Sequence, residues 1–237
     1  MFMQHWLDQR ASLSPDRTAL MEGKQSITFR ELRDRSIQSA RKMITIGVKK
    51  GDYVALLCHN GMHVPELIHA IHYAGAAVIP LNIRLTASEL AFQLEDSGAS
   101  TLIFDPLFAP FAEEMTSRAP LLRSISVEDF SALAEANTDI YTHLNGEAIH
   151  SIMYTSGTTG NPKGVMLSFH NHWASAIGSV LNLGLRENDR WLACVPLFHV
   201  SGLSILMRSV IYGIPVIIHK KFEPADVNRA IHEDGIT

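Results

Sequence analysis

Hydrophobic and polar positions follow two periods along the chain, and these alternate over most of its length. Short apolar runs bounded by glycine or polar residues predict buried strands, and apolar positions recurring every three or four residues predict amphipathic helices. Strands are predicted over 53–58, 76–81, 101–104, 149–154, 165–167, 191–195 and 215–219, and helices over 28–46, 64–73, 86–98, 170–183, 203–212 and 223–234. The segment 116–145 is too weakly periodic to assign. The alternation predicts an α/β fold of mostly parallel sheets flanked by helices.

Two capping boxes predict where helices begin. Thr28 is followed three residues later by Glu31, and Thr86 in the same way by Glu89. In such a pair the threonine hydroxyl accepts from the N3 backbone N–H, and the glutamate accepts from the threonine's own N–H. Gly98 is expected to end the second helix, because glycine readily adopts the left-handed conformation of a helix C-terminus.

Composition excludes several classes of protein. With 237 residues and 46% hydrophobic content, the chain can bury a sizeable core, on the order of 70% of its unfolded surface. A net charge of −4 and scattered basic residues argue against a nucleic-acid partner. Cys58 and Cys194 stand in apolar runs without a Cys-x-x-Cys pattern, so both are expected to be reduced core thiols.

Targeting and membrane signals are not expected either. The first residues acquire a negative charge early and show no basic region followed by an apolar stretch, so no signal peptide is predicted. The longest apolar segments, 71–81 and 192–207, are interrupted before they reach the roughly 20 residues that a membrane span needs. We therefore expect a soluble, cytoplasmic protein.

The segment 154–164 concentrates glycines, hydroxyls and one lysine between two apolar, β-prone runs. The residues concerned are Thr155, Ser156, Gly157, Thr158, Thr159, Gly160, Lys163 and Gly164. Glycines with positive φ let backbone N–H groups approach an anion, hydroxyls add donors, and the lysine adds a positive charge. This predicts a polyphosphate-binding loop between two buried strands. The alternative is a solvent-exposed turn, since the same residue types dominate turns.

The loop is not a Walker A motif. Lys163 follows Pro162 and precedes Gly164, where that motif requires glycine before the lysine and serine or threonine after it. A P-loop kinase or GTPase is therefore disfavoured.

Residues 155–164 resemble the phosphate-loop signature of the adenylate-forming superfamily, which includes acyl-CoA synthetases. Residues 196–203, Pro-Leu-Phe-His-Val-Ser-Gly-Leu, resemble the acyl-pocket motif of the same superfamily. The resemblance implies that a carboxylic acid attacks the α-phosphorus of ATP, and that the thiol of coenzyme A then displaces AMP. ATP, Mg²⁺ and coenzyme A are the implied cofactor and co-substrates.

The resemblance also implies roles for individual residues. The β- and γ-phosphates of ATP would be bound by the loop, and a hydroxyl of Thr155 or Thr159 would lie near Mg²⁺. The loop residues concerned are Ser156, Gly157, Thr158, Thr159, Gly160 and Lys163. His199 would line the acid pocket and orient the carboxylate for catalysis. Taken alone, a histidine in an apolar stretch is more often a core residue, but its place beside a helix-opening Gly202 favours the pocket.

The implied architecture is an incomplete large N-terminal domain with two α/β subdomains. Residues 51–184 would form one subdomain, and 1–50 with 189–237 would contribute to the other. The later Tyr-Gly-x-Thr-Glu motif, a ribose-binding aspartate, a hinge and a catalytic lysine of the family are not found, nor is the small C-terminal domain. The chain is therefore expected to be an N-terminal fragment with little or no ligase activity alone.

A further resemblance concerns the acid itself. Segments 170–173, 181–185, 189–192 and 208–213 resemble the branch of the family that joins 2-succinylbenzoate to coenzyme A in menaquinone biosynthesis. Arg190, Arg208 or His172 could meet a second carboxylate. Another acyl- or aryl-CoA synthetase is the alternative, and a noncatalytic nucleotide-binding module is an alternative of a different class. The expected partners are small molecules, with a homo-oligomer left open.

Two histidine pairs invite comparison with zinc sites. His69 and His72 lie one helical turn apart, and His170 and His172 are close in sequence. Neither pair has a third ligand at a suitable spacing, so zinc binding is not predicted.

Overall fold

The computed structural model describes residues 2–155 and 162–237, without the side chain of Phe2. The strands are β1 (Phe2–Gln4), β2 (Thr18–Glu22), β3 (Gln25–Thr28), β4 (Tyr53–Leu57), β5 (Ala77–Pro80), β6 (Thr101–Phe104), β7 (Arg123–Ser126), β8 (His143–Asn145), β9 (Ile149–Thr155), β10 (Lys163–Ser168), β11 (Trp191–Ala193) and β12 (Val216–Ile218). The helices are α1 (Trp6–Leu13), α2 (Phe29–Thr45), α3 (His63–Tyr73), α4 (Ala87–Ser97), α5 (Ala109–Arg118), α6 (Val127–Ala132), α7 (Phe169–Leu183), α8 (Val200–Tyr212) and α9 (Pro224–Glu233).

Two sheets organise the chain. The larger has the order β10-β9-β5-β4-β6-β7, and the smaller has the order β11-β12-β2-β3. Pairing is parallel from β9 through β7 and from β11 through β2, and it is antiparallel only between β10 and β9 and between β2 and β3 within these two sheets. β1 and β8 form a separate antiparallel pair. The prediction of an α/β fold with mostly parallel sheets is confirmed.

The larger sheet is buried on both faces. Along β5, Val78 belongs to one hydrophobic cluster and the next residue, Ile79, belongs to another. Because side chains alternate across a strand, the two clusters lie on opposite faces of the sheet. The first cluster includes residues of α1, α2, α3 and α8, and the second includes residues of α4 and α5. Helices on both faces explain why the parallel strands read as continuous apolar runs rather than as alternating ones.

The capping boxes form as predicted. Thr28 and Glu31 exchange hydrogen bonds at the start of α2, and Thr86 and Glu89 do so at the start of α4. Gly98 ends α4 in the left-handed conformation, with φ of 67°. The observed bounds of the predicted elements differ from the sequence prediction by only a few residues.

The fold corrects two sequence predictions and fills one segment that the sequence left unassigned. β10, predicted to be buried, is an edge strand in which Val165 and Met166 are 43% and 60% exposed. An apolar run alone does not reveal whether a second strand lies beside it. The unassigned segment 116–145 contributes β7, α6 and β8. α8 begins at Val200 rather than at Gly202, which lies within its first turn.

One side chain joins the beginning of the chain to α8. Arg10 on α1 donates from Nε to the carbonyl of Val210 at 2.9 Å and from Nη2 to that of Ile211 at 2.7 Å. A positive charge at the carboxyl end of a helix is favourable, because the last carbonyl groups have no partner within the helix. This contact fixes α8 against the N-terminal helix. Across residues 2–155 and 162–237, every helix is too short or too polar to cross a bilayer.

Candidate functional site

A cleft of about 730 Å³ opens beside the carboxyl ends of β5 and β9. A cleft of this size is typical of small-molecule sites, and the carboxyl ends of parallel strands are where α/β folds bind ligands. Its described lining residues are Pro80, Asn82, Leu85, Ser88, Glu89, Phe92, Gln93, Tyr154, Thr155, Pro162, Phe198 and His199. The cleft thus brings together the two ends of the predicted phosphate loop and the predicted acid-pocket histidine.

Volume alone does not single out this cleft. Another of about 720 Å³ is lined by charged residues that include Arg17, Asp189, Arg190 and Glu233. Of the residues that the structure describes, none from either predicted motif lines it. The chemistry of the two motifs therefore identifies the cleft at His199 as the candidate site.

Thr155 and Lys163 stand opposite each other at the base of the predicted phosphate loop. Thr155 ends β9, Lys163 begins β10, and the two are directly paired across the antiparallel ladder. Both are exposed to solvent. Directly paired residues project to the same face of a sheet, so the hydroxyl and the ammonium are presented side by side. The predicted phosphate-binding residues Ser156, Gly157, Thr158, Thr159 and Gly160, including the predicted Mg²⁺ ligand Thr159, lie outside the described residues.

Gly164 has a role that differs from the predicted one. It lies in β10 and is not among the glycines with positive φ. A Cβ at this position would lie 2.9 Å from Cγ2 of Ile152 and 3.1 Å from Cζ of Tyr154. Glycine is therefore required here for close packing across the hairpin, not for a left-handed backbone.

Tyr154 forms part of the cleft wall and was not singled out by the sequence. Its hydroxyl donates to Oδ2 of Asp96 at 2.6 Å and lies 3.1 Å from the carbonyl oxygen of Gln93, both on α4. Burial, together with the neighbouring Asp96 carboxylate, raises the pKa of Tyr154. These contacts hold the last turns of α4 against β9, and a tyrosine at the end of a strand gives no sequence signal for such a role.

His199 is placed at the amino-terminal end of α8. It is the N-cap residue, its backbone N–H donates to the carbonyl of Pro196 at 3.1 Å, and its carbonyl accepts from Leu203 N–H at 3.0 Å. Its side chain does not cap the helix. The ring lies 4.6 Å from that of Phe198 and is exposed at the cleft. The backbone is thus fixed while the imidazole faces the space where a substrate would bind.

The three side chains suggested for a second carboxylate do not line this cleft. Arg190 lines the other cleft described above. Arg208 donates to the hydroxyl of Ser175 at 3.1 Å, and the buried His172 lies 3.1 Å from the hydroxyl of Ser151. The sequence did not predict these directions, because they depend on how the segments that carry the three side chains pack in the fold.

The structure brings a third histidine to the pair His69 and His72. Ring nitrogens of His5, His69 and His72 lie within 4.8 Å of one another. The sequence spacing offers no third ligand for the pair, but the fold places His5 beside it. The expectation that the pair lacks a third neighbour is therefore wrong for the folded chain. Nδ1 of His5 accepts a hydrogen bond from Leu7 N–H at 3.2 Å, so a neutral His5 carries its proton on Nε2. That proton leaves His5 without a lone pair to offer a metal inside the group.

A second group contains Cys58, His63 and Asp105. The Cys58 thiol donates to the carbonyl of Ile103, and burial raises its pKa, so it remains protonated. Burial alone would raise the pKa of Asp105, but the His63 ring, 3.1 Å from its Oδ1, and the hydrogen bond from the backbone N–H of His59 outweigh it and lower the pKa to about 2. This group is a hydrogen-bonded anchor for the loop after β4. Cys194, expected in the core, is only partly buried.

Known proteins resemble this chain over nearly its whole length. The sequence model of a family described as AMP-binding enzyme matches residues 7–237. A 2-succinylbenzoate–CoA ligase from Geobacillus sp. (strain WCH70) is 48% identical over 233 residues, which are 98% of this chain and 46% of the relative. The chain thus spans about half the length of the curated relatives it matches.

Solved structures also superpose on the whole of this chain, which covers only part of each of them. O-succinylbenzoate coenzyme A synthetase from Bacillus subtilis in complex with AMP superposes with a TM-score of 0.95 at 40% identity, covering 100% of this chain and 61% of that one. The same synthetase in complex with ATP and magnesium ion superposes with a TM-score of 0.95 at 40% identity, covering 100% of this chain and 49% of that one.

Proposed function

We propose that this chain, which belongs to the AMP-binding enzyme family, is the part of an acid–thiol ligase that binds ATP and a carboxylic acid. The reaction would join the acid to AMP, release pyrophosphate and then transfer the acyl group to coenzyme A. One observation carries the proposal: Thr155, Pro162 and His199, from two motifs far apart in sequence, line the same cleft.

The base of the hairpin suits a triphosphate. Thr155 and Lys163 present a hydroxyl and an ammonium side by side, and both are exposed. Preplaced donors of this kind stabilise the negative charge that develops during phosphoryl and acyl transfer. Ser156, Gly157, Thr158, Thr159 and Gly160 would complete the phosphate contacts. A hydroxyl oxygen is a ligand that Mg²⁺ accepts, so Thr155 or Thr159 would hold the ion, which would neutralise phosphate charge.

His199 would orient the acid. Its ring lines the cleft, and its backbone is fixed by hydrogen bonds to Pro196 and Leu203. A neutral imidazole N–H can donate to a carboxylate oxygen and hold the other oxygen toward the α-phosphorus. Phe198 and Phe92 add apolar walls that would exclude water from the mixed anhydride.

The acid proposed is 2-succinylbenzoate, as in menaquinone biosynthesis, because the relatives compared above carry that activity in their names. The cleft has a volume of about 730 Å³, and its described wall offers hydroxyl and amide groups at Ser88, Asn82 and Gln93. A second carboxylate would be met by neutral donors of this kind rather than by Arg190 or Arg208.

The test is ATP–pyrophosphate exchange by the protein expressed from its complete gene, with a panel of acids that includes 2-succinylbenzoate. We expect exchange with 2-succinylbenzoate and a loss of about 10²-fold in His199→Ala, since misplacement of a reacting group by about 1 Å can cost this much. The exposed His232 on α9 provides the control variant His232→Ala, which should retain full exchange.

Other outcomes would distinguish the alternatives. Exchange with a different aryl or acyl acid would assign another synthetase. ATP binding without exchange for any acid would favour a noncatalytic nucleotide-binding module. Unchanged pyrophosphate release by His199→Ala would contradict the role of His199.

A further inference from the structure

Asn60, in the loop between β4 and α3, makes three long-range hydrogen bonds with one side chain. Its Nδ2 donates to the carbonyl of Val195 at 3.0 Å and to that of His219 at 3.1 Å, and its Oδ1 accepts from Leu197 N–H at 3.0 Å. Only 8% of the residue is exposed. An asparagine amide has two donor hydrogens, and both are used here.

The partners of Asn60 are the segments that leave the smaller sheet. Val195 lies two residues beyond β11, and His219 directly follows β12. Asn60 itself follows β4 of the larger sheet. One amide group therefore ties the carboxyl ends of adjacent strands of one sheet to the carboxyl end of a strand in the other. Leu197, the third partner, lies two residues before His199.

The segment held by Asn60 is packed from its other side by α8. A Cβ at Gly202 would lie 2.9 Å from Cα of Leu197 and would collide with the carbonyl oxygen of Pro196. His199 N–H also donates to the carbonyl of Pro196 at 3.1 Å. The backbone from Pro196 to His199 is thus confined between the Asn60 amide and the first turn of α8.

The loop that carries Asn60 is anchored to both sheets. The His59 N–H donates to Oδ2 of Asp105, just beyond β6, at 2.7 Å, and the Met62 N–H donates to Oε2 of Glu22, in β2, at 3.1 Å. These bonds flank Asn60 on both sides in sequence. Its amide is therefore presented from a fixed backbone.

We propose that Asn60 is a positioning residue for His199. It acts through Leu197 by fixing the segment that aims the imidazole into the cleft, and the inference rests on the proposed function of His199. Asn60 lies outside the described cleft lining, so it would not touch the acid or ATP. An amide suits this position because two carbonyls and one N–H must be satisfied together in a buried place.

The first experiment is a double-mutant cycle in ATP–pyrophosphate exchange, using the protein expressed from its complete gene and 2-succinylbenzoate. Asn60→Ala should lower kcat about tenfold or more and leave the KM for ATP within about twofold. In the His199→Ala background, Asn60→Ala should cost less than about twofold, because its effect passes through His199. Independent, multiplicative losses would overturn the proposal.

A matched control separates positioning from stability. Ser209 is buried near the carboxyl end of α8, and its hydroxyl donates to the carbonyl of Ile214 at 2.6 Å. Ser209→Ala therefore removes a buried hydrogen bond from the same helix at the end away from His199. It should lower Tm while exchange stays within about twofold. An equal loss of exchange in Ser209→Ala and Asn60→Ala at equal loss of Tm would contradict the positioning role.

A second measurement does not depend on the substrate. In ¹H–¹⁵N spectra of the histidine rings, the signal assigned to His199 by its absence in His199→Ala should shift in Asn60→Ala and stay in place in Ser209→Ala. If Asn60→Ala does not fold, Asn60→Ser serves in both experiments. An unshifted His199 signal would overturn the inference, whereas a shifted signal without exchange for any acid would overturn the proposed function alone.

Discussion

Buried histidine rings meet between α1, α3, β9 and α7. Ring centroids are 4.2 Å apart for His72 and His150, 4.1 Å for His150 and His172, and 5.9 Å for His5 and His69. Both ring nitrogens of His69 lack a hydrogen-bond partner among the described residues. Burial disfavours the charged form, and it lowers the pKa of His69 to about 4 and that of His72 to about 3.

This cluster predicts a loss of stability in acid. Below its usual pKa of 6.5, a histidine takes up a proton in the unfolded chain, whereas folded His69 stays neutral until about pH 4. Stability is therefore complete above pH 6.5 and falls as the pH drops toward 4, by up to about 1.4 kcal/mol per pH unit for each such histidine. Urea unfolding between pH 7.5 and 4.5 measures this slope.

The variant His69→Leu should make the slope shallower by the contribution of about one proton. The exposed His232 gives the control His232→Leu, which should keep the wild-type slope. If His69→Leu and His232→Leu fell equally steeply in acid, the contribution of the buried ring would be refuted.

At the scale of single elements, the sequence predicted helix starts well where a threonine N-cap is followed three residues later by glutamate. α2 and α4 begin at the two threonine–glutamate boxes. A third box, Ser168 with Asn171 at the start of α7, was missed. Asparagine accepts from the N-cap N–H just as glutamate does, at 2.9 Å here, but it falls outside the usual pattern. The hydrogen bonds of a capping box are present at the start of α7, but asparagine at the N3 position is not part of the pattern that predicts one.

Two glycines in neighbouring helices predict opposite responses to the same substitution. A Cβ at Gly202 in α8 would collide with the Pro196 carbonyl, whereas a Cβ at Gly178 in α7 would have no neighbour within 4 Å. Gly202→Ala should therefore lower the free energy of unfolding by about 1–3 kcal/mol through forced backbone movement. Gly178→Ala should raise it by up to about 1 kcal/mol, because alanine is the better helix former.

Chemical denaturation of both variants gives the comparison, with far-UV circular dichroism confirming that the helices are kept. Equal effects of the two substitutions would show that the close approach of α8 to Pro196 is not the reason for glycine at 202. Gly202→Ala should also lower ATP–pyrophosphate exchange, since the same contact confines the backbone next to His199.

At the scale of the whole molecule, the edge strand β10 leaves apolar side chains exposed. Val165 and Met166 are 43% and 60% exposed. Neighbouring residues of a strand alternate between its faces, so these two side chains do not form one patch, and scattered exposed apolar side chains are normal. Met166 and Val165 lie on an edge strand, whose unpaired backbone groups can also pair with another chain.

The sequence determined the order of most helices and strands, the α/β class and the two motifs of the candidate site. These features depend on local periodicity, capping and residue types, which neighbours in the chain decide. Tertiary structure alone decided that β10 is an edge strand and that His5 joins His69 and His72. It also decided that Asn60 reaches Leu197, 137 residues away. Such contacts depend on which surfaces pack together. The sequence around a single asparagine in a loop does not indicate which distant backbone groups its side chain will bond.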